Sequence, residues 1–266
     1  MSHIHLLALL GFTACACGPD GVSAHEHTLT STHTADAYRI SVLVPDAQPQ
    51  SAAGYPSIYL LDGDTLLGQL RGTYVELQRS GAISPALLIG IGYADANHRQ
   101  RDYTPTMADG PEYGGGDAFQ EFLRSELIPF ISATYPASPQ RNHRCIVGHS
   151  LGGLSVFYSL FRYNDSFYGY GAASPSLYYD DGLMFALEQQ AAAASPALSG
   201  RVFIGFGTLD TPSRISAPSL AMGERLRTWT QPDFRFADAV FYATSHSGTP
   251  APTFEHAVSL CLQGVQ

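Results

Sequence analysis

One serine in this sequence lies in a pattern that exposes and activates a hydroxyl group. Ser150 stands within Gly148–Gly152, directly after the β-prone run Cys145–Val147 and before apolar residues at helical spacing. This order is typical of a nucleophile elbow, a tight turn that presents a serine between a strand and a helix. Glycines two residues either side of the serine would let the two backbones approach closely. The pattern predicts that Ser150 is a nucleophile.

A serine hydroxyl needs a base to take its proton, and an acid to hold that base in one tautomer. Behind an elbow of this kind, the acid and then the histidine follow the serine along the chain. Asp210 comes directly after the apolar run 201–207, and His246 follows the predicted strand 234–243. Because parallel strands end at one edge of a sheet, both residues are expected beside Ser150. We therefore predict Asp210 as the acid and His246 as the base.

Other residues compete for both roles. Asp210 could instead cap the segment that follows it, and the other candidate acids are Asp180, Asp181 and Asp238. His256 is the rival base, but its surroundings predict a helix in which a histidine is more often structural. His143 and His149 are too close to Ser150 along the chain to reach back as a base.

Two N–H donors are expected to stabilise the negative oxygen that such a nucleophile would create. The first is the N–H of Leu151, which follows the nucleophile. The second should come from a loop after an early strand, where the turn 62–64 offers the N–H of Asp64; an ordinary Asp-Gly turn is the alternative interpretation. His25, His27 and His33 have no carboxylate or cysteine cluster beside them, so no metal site is predicted there. The predicted serine mechanism needs neither a metal nor an organic cofactor.

The elements around these residues predict one α/β domain. The chain has 266 residues, and after a leader at 1–24 the range 25–266 suits a single catalytic domain with a mainly parallel, doubly wound sheet and helices on both faces. Predicted strands cover 38–44, 57–61, 86–92, 145–147, 167–173, 201–207 and 234–243, with a possible edge strand at 25–34. Predicted helices cover 66–79, 117–133 (capped by Asp117), 151–161, 183–194, 220–229 and 254–262.

Charge excludes one class of partner. The formal net charge is -9, and all 14 basic residues are arginines without a basic run, so nucleic-acid binding is not expected.

The apolar stretch 4–12 has the length of a signal-peptide core and is too short for a membrane span. Export is therefore expected, by cleavage after the small residues 22–24 or at an imperfect lipobox, 12–15, that would tether the protein to a membrane through lipidated Cys15. Cys145 and Cys261 are expected to be buried free thiols.

Several stretches together resemble the esterase D-like putative esterase family of α/β-hydrolases, and most closely its ferric-siderophore trilactone esterase branch. They are 59–64, 101–105, 126–130, 148–154 and 173–176, in the order the family has them. The resemblance implies a serine esterase with Ser150 as nucleophile and His246 as base, and it supports Asp64 as the second oxyanion donor. It also implies that Arg99 contacts an anionic catecholate substrate; the alternative is a surface arginine that pairs with Asp95 or Asp102. The acid is less firmly implied, since some members work largely as a Ser–His pair.

The expected function is hydrolysis of a small-molecule carboxylic ester through an acyl-enzyme. A siderophore trilactone, a short acyl ester and a carbohydrate-bound acyl ester all remain open as substrates. An acyltransferase on the same fold is an alternative, because it differs mainly in whether an alcohol or water meets the acyl-enzyme. The alternative from another class is a catalytically inert α/β-hydrolase module that only binds, and it would be expected to lack a nucleophile or a base.

Overall fold

The fold centres on an eight-stranded sheet in the computed structural model, which describes residues 20–194 and 198–265. The strands are β1 Val22–Thr30, β2 Ala37–Pro45, β3 Ser57–Leu60, β4 Leu87–Tyr93, β5 Arg144–His149, β6 Gly169–Ala173, β7 Gly200–Gly207 and β8 Phe234–Phe241. The α-helices are α1 Gly63–Arg79, α2 Arg99–Asp102, α3 Gly116–Glu121, α4 Ile128–Thr134, α5 Leu151–Arg162, α6 Tyr179–Ala193, α7 Ala217–Arg227 and α8 Pro250–Cys261. The strand order is β1-β2-β4-β3-β5-β6-β7-β8.

The sheet is mainly parallel, as predicted. Strands β1 and β2 pair antiparallel, as do β2 and β4, whereas every pairing from β4 through β3, β5, β6 and β7 to β8 is parallel. The central strands are buried along their whole length because helices cover both faces. The α/β-hydrolase fold class and its single doubly wound sheet are confirmed.

Two apolar cores lie on the two faces of this sheet. On one face α1 and α8 contact each other and cover β4 to β7, with Leu70 and Val258 fully buried. On the other face α3, α5 and α6 surround a larger, aromatic-rich core in which Tyr38 stacks on Phe122 at 4.1 Å between ring centroids. Burial on both sides fixes the register of the strands and hence the level at which each strand ends.

The carboxyl ends of five parallel strands lie at one edge and carry the candidate site. Asp62 follows β3, Ser150 follows β5, Ser174 follows β6, Asp210 follows β7 and His246 follows β8. Because β3 pairs with β5, the turn after β3 lies directly beside the elbow. The topology therefore brings together the loops that the sequence marked.

Three features differ from expectation. The helix predicted over 117–133 is divided into α3, a π-helical segment Phe122–Leu127 and α4. Asp117 is not its N-cap: the cap is Gly115, and the Asp117 carboxylate accepts a hydrogen bond of 2.6 Å from the Tyr163 hydroxyl. The first strand begins at Val22, which is buried and paired with Pro45, so the folded part begins upstream of the predicted boundary at residue 25. The apolar stretch 4–12 and the lipobox with Cys15 lie outside the described residues.

The expectation of free thiols at Cys145 and Cys261 is wrong, because the two cysteines form a disulfide with 6.3 Å between their Cα atoms. The bridge joins the start of β5 to the end of α8 across 116 residues of sequence. A Cβ at Gly169 on the neighbouring strand β6 would collide with Cys261 Sγ, so glycine leaves the space that the bridge occupies. The pairing was hidden in the sequence because two distant cysteines carry no spacing signal.

Within the described part of the chain, no helix has the length and apolar character needed to cross a bilayer.

Removing the disulfide is expected to destabilise the domain strongly. In the chain-entropy model, a bridge that closes a loop of this length removes entropy from the unfolded chain and stabilises the folded domain by about 5 kcal/mol. We expect the double variant Cys145→Ala, Cys261→Ala, and the wild type under strong reductant, to lose about 3–5 kcal/mol of unfolding free energy in urea titrations.

A non-reducing digest analysed by mass spectrometry provides the matched observation, since it should contain the Cys145 and Cys261 peptides linked together. An unchanged urea midpoint after complete reduction would contradict the stabilising role.

Candidate active site

Ser150 occupies the strained turn that the sequence predicts. It follows β5 with φ 59° and ψ −116°, a conformation that costs a non-glycine residue about 1–3 kcal/mol and persists only where neighbours fix it. The loop after β6 supplies that support: Ser150 N–H donates to Ala173 O at 2.9 Å, and Ser176 N–H donates to Ser150 O at 3.0 Å. A Cβ at Gly148 would lie 2.5 Å from the Gly152 backbone, so position 148 requires glycine.

Asp210 and His246 form the predicted pair. His246 Nδ1 donates a hydrogen bond of 2.7 Å to Asp210 Oδ1, which leaves His246 Nε2 free to accept a proton. The Asp210 side chain is fully buried, and its second oxygen accepts from Gly207 N–H at 2.8 Å and from Ser174 Oγ at 2.7 Å. A carboxylate with this many donors is a strong acceptor that holds the imidazole in one orientation.

The rival residues lie in other environments. Asp180 accepts from Thr106 Oγ1 at 2.8 Å, and Asp238 forms an ion pair with Arg227 at 2.6 Å. His256 is exposed on α8 and stacks on Phe203, with 5.3 Å between ring centroids. Among these candidates the described hydrogen bonds join only Asp210 to His246.

The Ser150 hydroxyl contacts a different partner in this structure. Its Oγ lies 3.3 Å from Ser176 Oγ, and no Ser150–His246 hydrogen bond forms in the described part of the chain. Hydrogen bonds between nucleophile and base often tighten only with substrate bound. The Ser150–His246 step of the predicted triad therefore stays a prediction.

Two unpaired N–H groups lie where the oxyanion donors are predicted. Leu151 is the first residue of α5 and Asp64 the second of α1, and neither N–H donates to another described residue. The turn that carries Asp64 packs tightly, because Asp62 has φ 56° and a Cβ at Gly63 would lie 2.5 Å from the β4 backbone. The Asp64 carboxylate is engaged with Arg39 at 2.9 Å, so only its N–H is available.

Arg99 joins the two turns. Its guanidinium donates to both carboxylate oxygens of Asp62, at 2.6 and 3.0 Å, and to the carbonyl of His149 at 3.0 Å. The alternative interpretation, in which Arg99 is a surface arginine that pairs with Asp95 or Asp102, is wrong. Arg99 fixes the turn after β3 against the elbow, and the predicted substrate contact stays a prediction.

A family model described as "Putative esterase" matches residues 31–248. The chain belongs to this family. The predicted resemblance is thereby confirmed.

Among curated relatives, ferri-bacillibactin esterase BesA of Bacillus subtilis is 36% identical over 172 residues, covering 57% of this chain and 58% of the relative. Apo-salmochelin esterase of Escherichia coli is 30% identical over 155 residues, covering 53% and 47%. The matches thus span about half the length of these relatives. The crystal structure of the BES protein from Bacillus cereus superposes with a TM-score of 0.78 at 22% identity, covering 90% of this chain and 94% of that one.

Two serines that the sequence did not assign a role support this esterase-family site. Ser174, with φ 41°, bridges Asp210 and Thr249 through its hydroxyl, the latter at 2.8 Å, while Ser176 contacts the nucleophile's hydroxyl. The available signal was their position directly after strand β6, at the edge where open α/β sheets build their sites. The motif alone did not show which hydroxyl would face which loop.

His149, the residue before the nucleophile, contacts the loop of the base. Its Nε2–H donates to the His246 carbonyl at 2.9 Å, and the two rings lie 4.5 Å apart. Burial, and then repulsion from His246, lower the pKa of His149 to about 4. His149 is therefore neutral at pH 7, and its second ring nitrogen carries no proton.

This lowered pKa predicts a pH dependence of stability. Below pH 6.5 the unfolded chain protonates His149, whereas the folded chain does so only near pH 4, so lowering the pH through this window favours unfolding. His149→Gln keeps a donor for the His246 carbonyl but does not titrate. We expect the wild type to lose more unfolding free energy than His149→Gln between pH 6.5 and 4, by up to roughly 3 kcal/mol.

Urea titrations of both proteins across that range measure the difference directly. The difference between the two proteins isolates the contribution of His149. Parallel stability curves would contradict the buried, neutral state of His149.

Proposed function

We propose that this protein is a serine hydrolase of carboxylic esters. The observation that carries the proposal is the 2.7 Å hydrogen bond from His246 to buried Asp210 at the sheet edge where Ser150 stands in a strained elbow. That arrangement suits a base that takes a proton from a serine at neutral pH.

In the proposed reaction, Ser150 Oγ attacks the ester carbonyl carbon while its proton passes to His246 Nε2. Asp210 stabilises the imidazolium that forms, and the N–H groups of Leu151 and Asp64 donate to the tetrahedral oxygen. The intermediate collapses, the C–O bond of the ester breaks, and His246 returns the proton to the leaving alcohol. A water molecule then attacks the acyl-enzyme carbonyl while its proton passes to His246 Nε2. The second tetrahedral intermediate collapses, His246 returns the proton to Ser150 Oγ, and the acid is released.

Hydrolysis is favoured over the two alternatives. The His246 side chain is 40% exposed, so water reaches the base without a conformational change. An acyltransferase needs to keep water away from the acyl-enzyme, which this exposure opposes. An inert binding module would not need to retain an oriented acid–base pair beside an elbow serine.

A siderophore-type ester is the substrate class we propose. Two curated relatives carry the names ferri-bacillibactin esterase and apo-salmochelin esterase. Two large side chains are exposed in the loops that carry the proposed acid and base: Leu209, beside Asp210, is 65% exposed, and Tyr242, four residues before His246, is 90% exposed. Exposed apolar surface next to these residues suits a bulky, aromatic ester better than a small acetate.

Turnover of p-nitrophenyl butyrate and of a catecholate trilactone tests the proposal. We expect Ser150→Ala and His246→Ala to lower kcat by at least about a thousandfold, and Asp210→Asn by about a hundredfold or more, because each removes a member of the proton-transfer chain. Ser247→Ala, an exposed serine next to the base, is the matched control and should keep wild-type turnover.

Equal rates for the wild type and Ser150→Ala would refute the enzyme. A trilactone cleaved no faster than the butyrate ester would refute the siderophore-type substrate and leave a general esterase.

We also propose that the protein is exported, with a mature N-terminus upstream of Asp20. A disulfide between Cys145 and Cys261 favours an oxidising compartment. Cleavage after residue 24 would remove Val22, which is 2% exposed, and the ion pair of 2.7 Å between Asp20 and Arg71. Cleavage at Cys15 would keep both contacts, so the lipid-anchored form is the one we propose.

Mass spectrometry of the mature N-terminus, with Cys15→Ala as the comparison, tests this proposal. We expect a lipid-modified Cys15 that is absent in the variant. A mature chain that begins at residue 25, or one that keeps the full leader, would refute the anchor.

A further inference from the structure

Arg214 has no anionic partner among the residues that the structure describes, and it follows Asp210 at the edge that carries the site. Its guanidinium lies 4.1 Å from the centroid of the Tyr178 ring and donates no hydrogen bond to any residue that the structure describes. It is exposed, whereas Arg99 is engaged with Asp62. In a protein of net charge -9, an uncompensated arginine is a local positive site.

The stack lies between two loops of the proposed machinery. Tyr178 comes two residues after Ser176, which contacts the nucleophile, so their Cα atoms are within about 7 Å. Arg214 comes four residues after Asp210, which places it within about 14 Å of the acid. The pair therefore belongs to the same edge as the reacting groups.

The ring leaves the guanidinium ready to bind an anion. The Tyr178 ring covers the guanidinium carbon at 4.1 Å, and no described residue accepts a hydrogen bond from the guanidinium N–H groups. Those donors can therefore bind a carboxylate or catecholate in a bidentate manner. The Tyr178 ring is half-buried, so it restricts the arginine to fewer rotamers before a ligand arrives.

We propose that Arg214, held over Tyr178, binds an anionic group on the acyl part of the ester substrate, while Arg99 positions the two turns. The inference rests on the proposed esterase function and assigns the charge selectivity of that site. Arg214 is thus a specificity-determining residue. In this proposal Arg214 makes the contact with the anionic substrate that was predicted for Arg99.

A pair of esters that differ in one charge tests the assignment: mono-p-nitrophenyl terephthalate, whose free carboxylate lies para to the ester and cannot reach its carbonyl, and the neutral methyl ester of the same compound. The readout is the ratio of kcat/KM for the anionic ester to kcat/KM for the neutral ester. We expect Arg214→Ala to lower this ratio about five- to tenfold, Arg214→Lys to restore part of it, and 0.5 M salt to lower it in the wild type.

Four further variants separate the roles. Arg162→Ala removes an exposed arginine at the far end of α5 that likewise has no hydrogen bond to a described residue, and it should keep the wild-type ratio. Arg99→Ala should lower both rates together, because it leaves the buried Asp62 carboxylate without its partner. Tyr178→Leu should lower the ratio, and Tyr178→Phe should keep it.

Two outcomes for Arg214→Ala overturn the assignment. One is a variant that keeps the wild-type ratio. The other is a variant that slows both esters equally, which would mean that the contact between Arg214 and Tyr178 only joins two loops. A ratio that falls in Arg99→Ala but not in Arg214→Ala returns the contact to Arg99. If the neutral ester is not hydrolysed in a Ser150-dependent way, the proposed function itself fails, which this control detects separately.

Discussion

The buried carboxylate of Asp210 is the interaction on which the site depends. Its two oxygens accept hydrogen bonds from Gly207 at the end of β7, from Ser174 directly after β6 and from His246 in the turn after β8. Removing this carboxylate would leave the Gly207 N–H and the Ser174 hydroxyl without this acceptor in a buried position, at a cost of about 1–3 kcal/mol for each unsatisfied group, and it would leave the partly exposed His246 without its partner. Asp210 is therefore a structural junction as well as the hydrogen-bond partner of His246.

A second junction lies on the other side of the nucleophile. The ion pair between Arg99 and Asp62 is partly buried, with side chains 25% and 14% exposed, and its third hydrogen bond reaches the His149 carbonyl. Burial raises the pKa of Asp62, while the Arg99 guanidinium opposes that shift. The two helix N-termini that hold the unpaired Asp64 and Leu151 N–H groups are thus fixed relative to one another, which is the preorganisation that oxyanion binding requires.

The sequence predicts well what depends on local pattern. Glycine spacing around Ser150 and the apolar runs before Asp210 and His246 determine where strands end, and parallel strands end together. It predicts poorly what depends on which side chains meet across the fold. The partner of Arg99 proved to be Asp62, 37 residues away, and the π-helical segment Phe122–Leu127 interrupts a pattern that reads as one helix. The paired cysteines are 116 residues apart and belong to the same class of long-range contact.

The disulfide also links the strand that ends beside Ser150 to the helix that begins after His246, the two partners of the proposed proton transfer. Strand β5 runs six residues from Arg144 to His149 and ends beside the nucleophile, a length of about 20 Å. Helix α8 runs twelve residues from Pro250, shortly after the base, to Cys261, a length of about 18 Å. Two stiff segments of nearly equal length are thus covalently joined at the end remote from the chemistry. Protein produced in a reducing cytoplasm lacks that bond, so its activity differs from that of the oxidised protein although the two share one sequence.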